Sequence, residues 1–331
     1  MQYPTRNVPK KRFRASPQSQ ATLISDRAFT PPICQDMRIA LCTGDHMLDL
    51  YFGLALMGVL SLGAFVLGVR LAVGHRWIGN GLAITTVLLT LFYVRFGWDD
   101  IRLARLLPVS NLVVVGNCLP LLSTFLSGVV WRRIQHWRRF FGVAALWIAG
   151  GYAAVAPLLP QPPVCKDTWT DIGICLQTNP ATCTPACAAT LLKIHGITST
   201  EGEMARLCLT GSHGTNWTGL YHGLKVKTRD TGLEVRVFFG SAKDLLDNPP
   251  GPVILSVGLP LDTRPDSYYR TKWAWTPGIE HSVILLGTTE KGMLQIVDPD
   301  PGIEFELWYP RDLEALWRGQ GMSLVGRHAS R

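Results

Sequence analysis

The chain has no phosphate-binding loop. Gly-x4-Gly-Lys-Ser/Thr occurs nowhere in its 331 residues, so the chain itself supplies no ATPase of that kind. No run interleaves Lys and Arg with stacking aromatics, so nucleic acid is not a partner despite a formal charge of +8. Acid is scarce in one half only: residues 1–160 hold 16 Lys and Arg against 6 Asp and Glu, whereas 161–331 hold 16 against 18. The basic balance therefore belongs to the first half. Cys183 and Cys187 with His195 or His213 is the one set to weigh as a metal site, and its spacing suits a tetrahedron poorly. No metal or other cofactor is expected.

Charge is also missing from four stretches of the first half: 50–69, 77–94, 106–130 and 140–165. A helix needs roughly 20 apolar residues to cross a bilayer, and all four stretches qualify. Four such runs in a row, joined by Arg-rich connectors, do not suit a soluble core. Trp77, Trp98, Trp131, Trp137 and Trp147 lie at or near their ends, where an amphipathic ring favours the headgroup zone. Residues 47–160 thus read as a transmembrane region with four spans and the lipid bilayer as partner. Residues 1–46, with Lys10, Lys11, Arg12 and Arg14 among Pro, Ser and Gln, read as a disordered basic tail.

Four spans place both ends of the chain on one side. The connector 131–139 carries four arginines and no acid, which holds it in the cytoplasm and the C-terminal domain outside. Arg95, Arg102 and Arg105 argue the other way, accompanied by Asp99 and Asp100. The expected placement of the C-terminal domain is extracytoplasmic.

Residues 161–331 read as one domain of mixed elements. A helix is expected from Cys183 to His195, stopping at Gly196, and a second over 203–209. Strands are expected over 233–239, 252–257, 281–286 and 293–297. Helices first and strands after them predict an α+β fold with an antiparallel sheet. Five cysteines lie here, Cys165, Cys175, Cys183, Cys187 and Cys208, and the sequence leaves their pairing open.

Four polar residues suit thiol-based acyl transfer. Cys183 opens a helix, where first-turn N–H groups and the helix dipole favour a thiolate. Pro185 is tolerated in that first turn. His281 opens an apolar strand and can pair with the thiolate and protonate a leaving amine. Asp298, ending the next strand, can hold the imidazole in its working tautomer. Gln177, six positions before the thiol, can direct its amide at a developing oxyanion. Each signal has a bland reading, since helix-start cysteines are often structural and Asp-Pro is a common turn. Their order and context together carry the weight.

The blocks Gln177-Thr-Asn-Pro-Ala-Thr-Cys183-Thr-Pro-Ala, Gly214-Thr215, Gly219-Leu220, Gly232-Leu233, His281-Ser-Val-Ile-Leu-Leu-Gly287 and Val297-Asp298-Pro299 resemble the bacteriocin-processing cysteine peptidases. These are papain-like domains that cut double-glycine leader peptides and are usually fused to an export transporter. The resemblance spans about residues 170 to 327. It implies Cys183 as nucleophile, His281 as base, Asp298 as its orienter and Gln177 as oxyanion donor. It further implies a peptide or protein substrate, a bacterial inner membrane and a separate export transporter as partner. The family commonly has Asp before the nucleophile and Gly after it, where this chain has Thr182 and Thr184. A catalytically silent domain of the same fold, binding a peptide or partner at the membrane, is the alternative to a membrane-anchored peptidase.

Overall fold

The structure is a computed structural model that describes residues 33–74, 76–135, 137–247 and 251–327, with side chains from residue 47 onward. The chain divides between Pro160 and Gln161 into two compact units.

The first unit is helical: α1 (Ile33–Leu71), α2 (Arg76–Phe92), α3 (Leu112–Val115), α4 (Leu119–Arg133) and α5 (Arg138–Val155). Four of its segments are long and apolar enough to cross a membrane: Met47–Leu71, Arg76–Gly97, Leu112–Arg133 and Arg138–Leu158. Three expected boundaries move. Residues 33–46, expected in the disordered tail, belong to α1, while 1–32 lie outside the described residues. The third span begins at Leu112 rather than at 106, because Pro108 lacks an N–H and disfavours helix in the residue before it. The fourth ends at Leu158 rather than at 165, because Pro160, Pro162 and Pro163 cannot continue a helix.

Helix α4 packs against α1, α2 and α5. Small residues permit the approach to α1: a Cβ on Gly128 would strike the Phe65 carbonyl oxygen, and one on Gly68 the Phe125 carbonyl oxygen. Apolar side chains gain little by leaving lipid, so close backbone packing and interhelical hydrogen bonds hold such helices together. Asn117 Nδ2 donates to the Ala153 carbonyl at 2.7 Å and Asn111 Nδ2 to that of Asp49 at 3.3 Å. Both asparagines therefore serve packing.

The second unit begins with an extended segment, in which Trp169 bridges Cys175, and continues as α6 (Cys183–Ile194), α7 (Glu201–Leu207), α8 (Trp217–Lys227), β1 (Leu233–Phe239), α9 (Ala242–Asp247), β2 (Val253–Gly258), α10 (Tyr268–Thr271), β3 (Glu280–Thr288), β4 (Leu294–Asp298), β5 (Glu304–Trp308), α11 (Pro310–Leu316) and β6 (Trp317–Gly326). The six strands form one antiparallel sheet in the order β1-β6-β2-β3-β4-β5, so the unit is α+β as expected. Val253, Leu255, Val257, Val283, Leu285, Leu294 and Ile296 belong to one buried core cluster with Leu245, Trp308, Leu313 and Leu316. Helix α6 packs on β2 and β3. From Thr184 to Leu192 it is buried throughout, as its run of small and aliphatic side chains requires.

Candidate active site

Strand pairing brings two of the four residues together. Ile284 pairs with Val297 across β3 and β4, so Asp298, one step further along β4, shares a sheet face with His281 and stands diagonal to it. Such diagonal neighbours are within reach of long and aromatic side chains. His281 Nε2 lies 2.8 Å from Asp298 Oδ1, with side chains 12% and 1% exposed. The same oxygen accepts from the Asp300 N–H at 2.9 Å. With Nε2 engaged by Asp298, Nδ1 is the ring nitrogen left for another partner. The Trp275 ring, 4% exposed, stands edge-on to the His281 ring at 6.1 Å between centroids and keeps water from that side of the pair.

Cys183 is the first residue of α6 and partly buried. No side chain caps this helix: the Thr182 hydroxyl oxygen accepts from the Asn179 N–H at 3.2 Å, and its proton faces Glu201 Oε1 at 2.5 Å and the Asn179 carbonyl at 2.7 Å. Burial works against a thiolate at Cys183. The hydrogen bond and charge of His281, the Ser282 backbone and the Thr184 hydroxyl outweigh it, and the thiol is held below its ordinary range. Burial likewise opposes a charged ring at His281, yet the charge and hydrogen bond of Asp298, with Cys183 adding to them, raise its pKa to about 10. Both shifts act in the same direction, favouring a proton on the imidazole over one on the sulfur.

The other thiols differ. Burial is the main cause that pushes Cys165 up to about 11 and Cys175 up to about 12, and it raises Cys187 and Cys208 strongly. Cys187, one turn along α6 from Cys183, points its Sγ at the Ser282 carbonyl at 3.2 Å. All six cysteines whose side chains are described are free. Among the described residues no cluster of three or more His, Cys, Asp and Glu is placed to hold a metal ion. The set of Cys183, Cys187 and His195 or His213 does not assemble.

Gln177 is positioned through its backbone, whose N–H donates to the Pro299 carbonyl at 2.8 Å, next in sequence to Asp298. Its side-chain carbonyl oxygen is buried without a hydrogen-bond partner. Thr184, which stands where a glycine was expected, is 7% exposed and pairs with Ser282 Oγ at 2.8 Å. Its hydroxyl is 3.9 Å from the Cys183 sulfur, so the side chain is fastened to β3 beside the thiol.

One residue of this region escaped the sequence reading. Glu201, fully buried, accepts from the Thr178 N–H and the Thr178 hydroxyl, both at 2.7 Å, as well as from Thr182. A charged residue opening a short helix looks like a solvated first-turn acid, and nothing local signals its burial.

A model of the peptidase C39 family matches residues 171–262. This segment contains Gln177 and Cys183 and ends before His281 and Asp298. Solved structures are similar to this chain, among them the following three. The peptidase domain of Streptococcus ComA, described as a bi-functional ABC transporter involved in quorum sensing, is 20% identical over 46% of this chain and 96% of its own, with a TM-score of 0.36. A double glycine motif protease from an AMS/PCAT transporter, solved in complex with the leader peptide, is 18% identical over 46% of this chain and 90% of its own, with a TM-score of 0.35. The peptidase domain of Streptococcus mutans ComA is 20% identical over 45% of this chain and 96% of its own, with a TM-score of 0.31. No curated protein matches.

Proposed function

We propose that the chain is a membrane-anchored cysteine peptidase that cleaves peptide bonds by a thiolate mechanism. The observation that carries this reading is the hydrogen-bonded His281–Asp298 pair at 2.8 Å beside a thiol whose ionisation it favours, in a chain whose residues 171–262 match a peptidase family. In the proposed reaction Cys183 Sγ attacks the scissile carbonyl carbon and a tetrahedral oxyanion forms. The Gln177 amide stabilises that oxyanion, and such a preorganised donor is worth about 3–4 kcal/mol. Imidazolium Nδ1–H of His281 gives its proton to the leaving amine as the C–N bond breaks. Water then attacks the thioester, losing a proton to His281, and the acid product leaves. Asp298 keeps the ring oriented throughout and stabilises its charged form. The peptidase C39 match makes a leader peptide the proposed substrate class.

Charge at the two ends of the helical unit supports an orientation. The end formed by the C-termini of α1 and α4 and the N-termini of α2 and α5 bears Arg70, Arg76, Arg132, Arg133, Arg138 and Arg139, with no acid nearby in sequence. At the other end Arg95, Arg102 and Arg105 stand against Asp49, Asp99 and Asp100, and Arg102 is bonded to Asp100 at 2.8 Å. The arginine end belongs in the cytoplasm. Helix α5 starts there, so a chain that crosses the bilayer as α5 delivers the peptidase unit to the extracytoplasmic side. Reporter fusions after residue 160 test this, and activity of a cytoplasm-only reporter refutes it.

The test of the chemistry is labelling of the full-length protein with iodoacetamide, with the modified residue located by mass spectrometry across pH. Wild type should label selectively at Cys183 well below pH 8, and His281→Ala should lose that selectivity. Equal reaction of all thiols would refute the proposal.

A further inference from the structure

We propose that Glu201 is a positioning residue that sets the oxyanion donor Gln177 and the nucleophile Cys183 in register; the proposal rests on the thiolate reading above. A buried carboxylate is costly unless its oxygens are hydrogen-bonded. Glu201 is 0% exposed and takes its three bonds from a single segment, the five residues that join Gln177 to Cys183. Oε1 accepts from the Thr178 N–H at 2.7 Å and the Thr182 hydroxyl at 2.5 Å, while Oε2 accepts from the Thr178 hydroxyl at 2.7 Å. Thr178 follows Gln177 directly, and Thr182 directly precedes Cys183.

The segment between them is shaped by Asn179. Its side-chain oxygen accepts from the Ala181 N–H at 3.0 Å, and its carbonyl accepts from the Thr182 N–H at 3.0 Å. That turn fixes the local shape but does not tie the segment to the rest of the domain. Outside anchors do: Glu201 from α7, the Lys166 N–H, which donates to the Thr178 hydroxyl at 2.9 Å, and the Pro299 carbonyl, which accepts from Gln177 N–H at 2.8 Å. Pro299 adjoins Asp298, so its bond refers the donor to the His281–Asp298 pair, while Glu201 refers both donor and nucleophile to α7. The Thr182 hydroxyl, which donates to Glu201 and accepts from the Asn179 N–H, makes no cap bond to α6, which leaves the first turn of the helix to the sulfur.

Two reagents separate the positions of donor and thiol. Iodoacetamide alkylates a thiolate by displacement at a saturated carbon and develops no oxyanion. With 4-nitrophenyl acetate the sulfur attacks a carbonyl, an oxyanion forms and collapses, and 4-nitrophenolate departs as the thioester forms. The ratio of the two rates at Cys183, measured in the full-length protein with Cys183→Ala as blank, reports the donor. Gln177→Ala should lower acylation about a hundredfold and leave alkylation unchanged, the typical effect of removing one such donor. Glu201→Gln should lower acylation about tenfold with alkylation within twofold of wild type. Added to Gln177→Ala it should have no further effect on acylation, because a lost donor cannot be mispositioned. Thr178→Val, which leaves the carboxylate in place, should lower the ratio several-fold and covers the case in which Glu201→Gln fails to fold. Equal loss of both rates, loss of neither, or additive losses in the double variant would overturn the role of Glu201. Absence of reaction with either reagent in wild type would overturn the thiolate reading itself, and this role with it.

Discussion

Asp298→Asn separates charge from orientation at the candidate site. An asparagine retains an oxygen that can accept from His281 Nε2–H, 2.8 Å away in the wild type, but carries no charge. At about 4 Å and an effective dielectric of about 20, the lost attraction to the imidazolium is about 4 kcal/mol. That equals about three pH units, enough to bring His281 from about 10 back to near neutrality. Burial, which opposes the charged ring and is the largest single influence on it, then acts with less opposition. Cys183 loses the positive neighbour that offsets its own burial, so its thiol moves up. The expected outcome is a fall of at least about tenfold in iodoacetamide alkylation of Cys183 at pH 7, with the rate recovering at high pH. Asp298→Ala should fall further, because the acceptor is lost as well. Wild-type and Asp298→Asn profiles that superimpose would refute the account, since the carboxylate would then contribute nothing to the ion pair.

Ser282→Ala removes the partner that the Thr184 hydroxyl holds at 2.8 Å and leaves a buried hydroxyl unpaired. A loss of about 1–2 kcal/mol in stability is expected, read as a lower melting temperature in detergent. Gly128→Leu should strongly lower the melting temperature by forcing α1 from α4, because even a Cβ at this position meets the Phe65 carbonyl oxygen. Gly58→Leu is the control on α1: a Cβ there meets nothing within 4 Å, so little change is expected.

Periodicity and apolar run length made four spans and the α+β order of the second unit legible in the sequence, because both follow from residue types that repeat along the chain. The missed elements are those whose residues serve a neighbour rather than local propensity. Helix α8 contains Gly219 and Gly223, poor helix formers. Their reason lies at the end of α7, where a Cβ on Gly219 would strike the Cys208 carbonyl oxygen and one on Gly223 would come within 2.5 Å of the Cys208 sulfur. Strand β6 was hidden by Gly319, Gly321 and Gly326, yet it sits between β1 and β2, and a Cβ on Gly321 would come within 2.8 Å of the Ile254 carbonyl oxygen. At the site, His281 and Asp298 were readable because strand ends place them one hairpin apart. Glu201 was not, because its partners are 19 and 23 residues away and the sequence alone does not show that α7 folds back over the loop.

The Cys183–His281 pair also sets a pH dependence of stability whose sign follows from counting protons. The reference values are 6.5 for the ring and 9.0 for the thiol; in the fold His281 is raised to about 10 and Cys183 is lowered. The raised histidine contributes stability that is full below 6.5 and is lost as pH rises through about 10. The lowered thiol contributes stability that is full above 9.0 and is lost as pH falls through its folded value. Between about pH 6.5 and 9, as far down as the folded thiol stays ionised, the folded pair carries one proton on the ring and the unfolded pair carries one on the sulfur. Folding there relocates a proton without binding or releasing any, so the pair adds no slope. Above about pH 9 the unfolded thiol sheds its proton while His281 keeps its own to about 10, and the folded state weakens. Cys183→Ala removes one side of this balance. His281, still raised by Asp298, then makes stability decline from about pH 6.5 upward, whereas the wild type stays level wherever its folded thiol is ionised and its unfolded thiol is not. Melting temperatures of both proteins between about pH 6.5 and 10.5 decide the matter: parallel curves would mean that no proton passes between Cys183 and His281 on folding, and that the thiol of the resting protein is neutral.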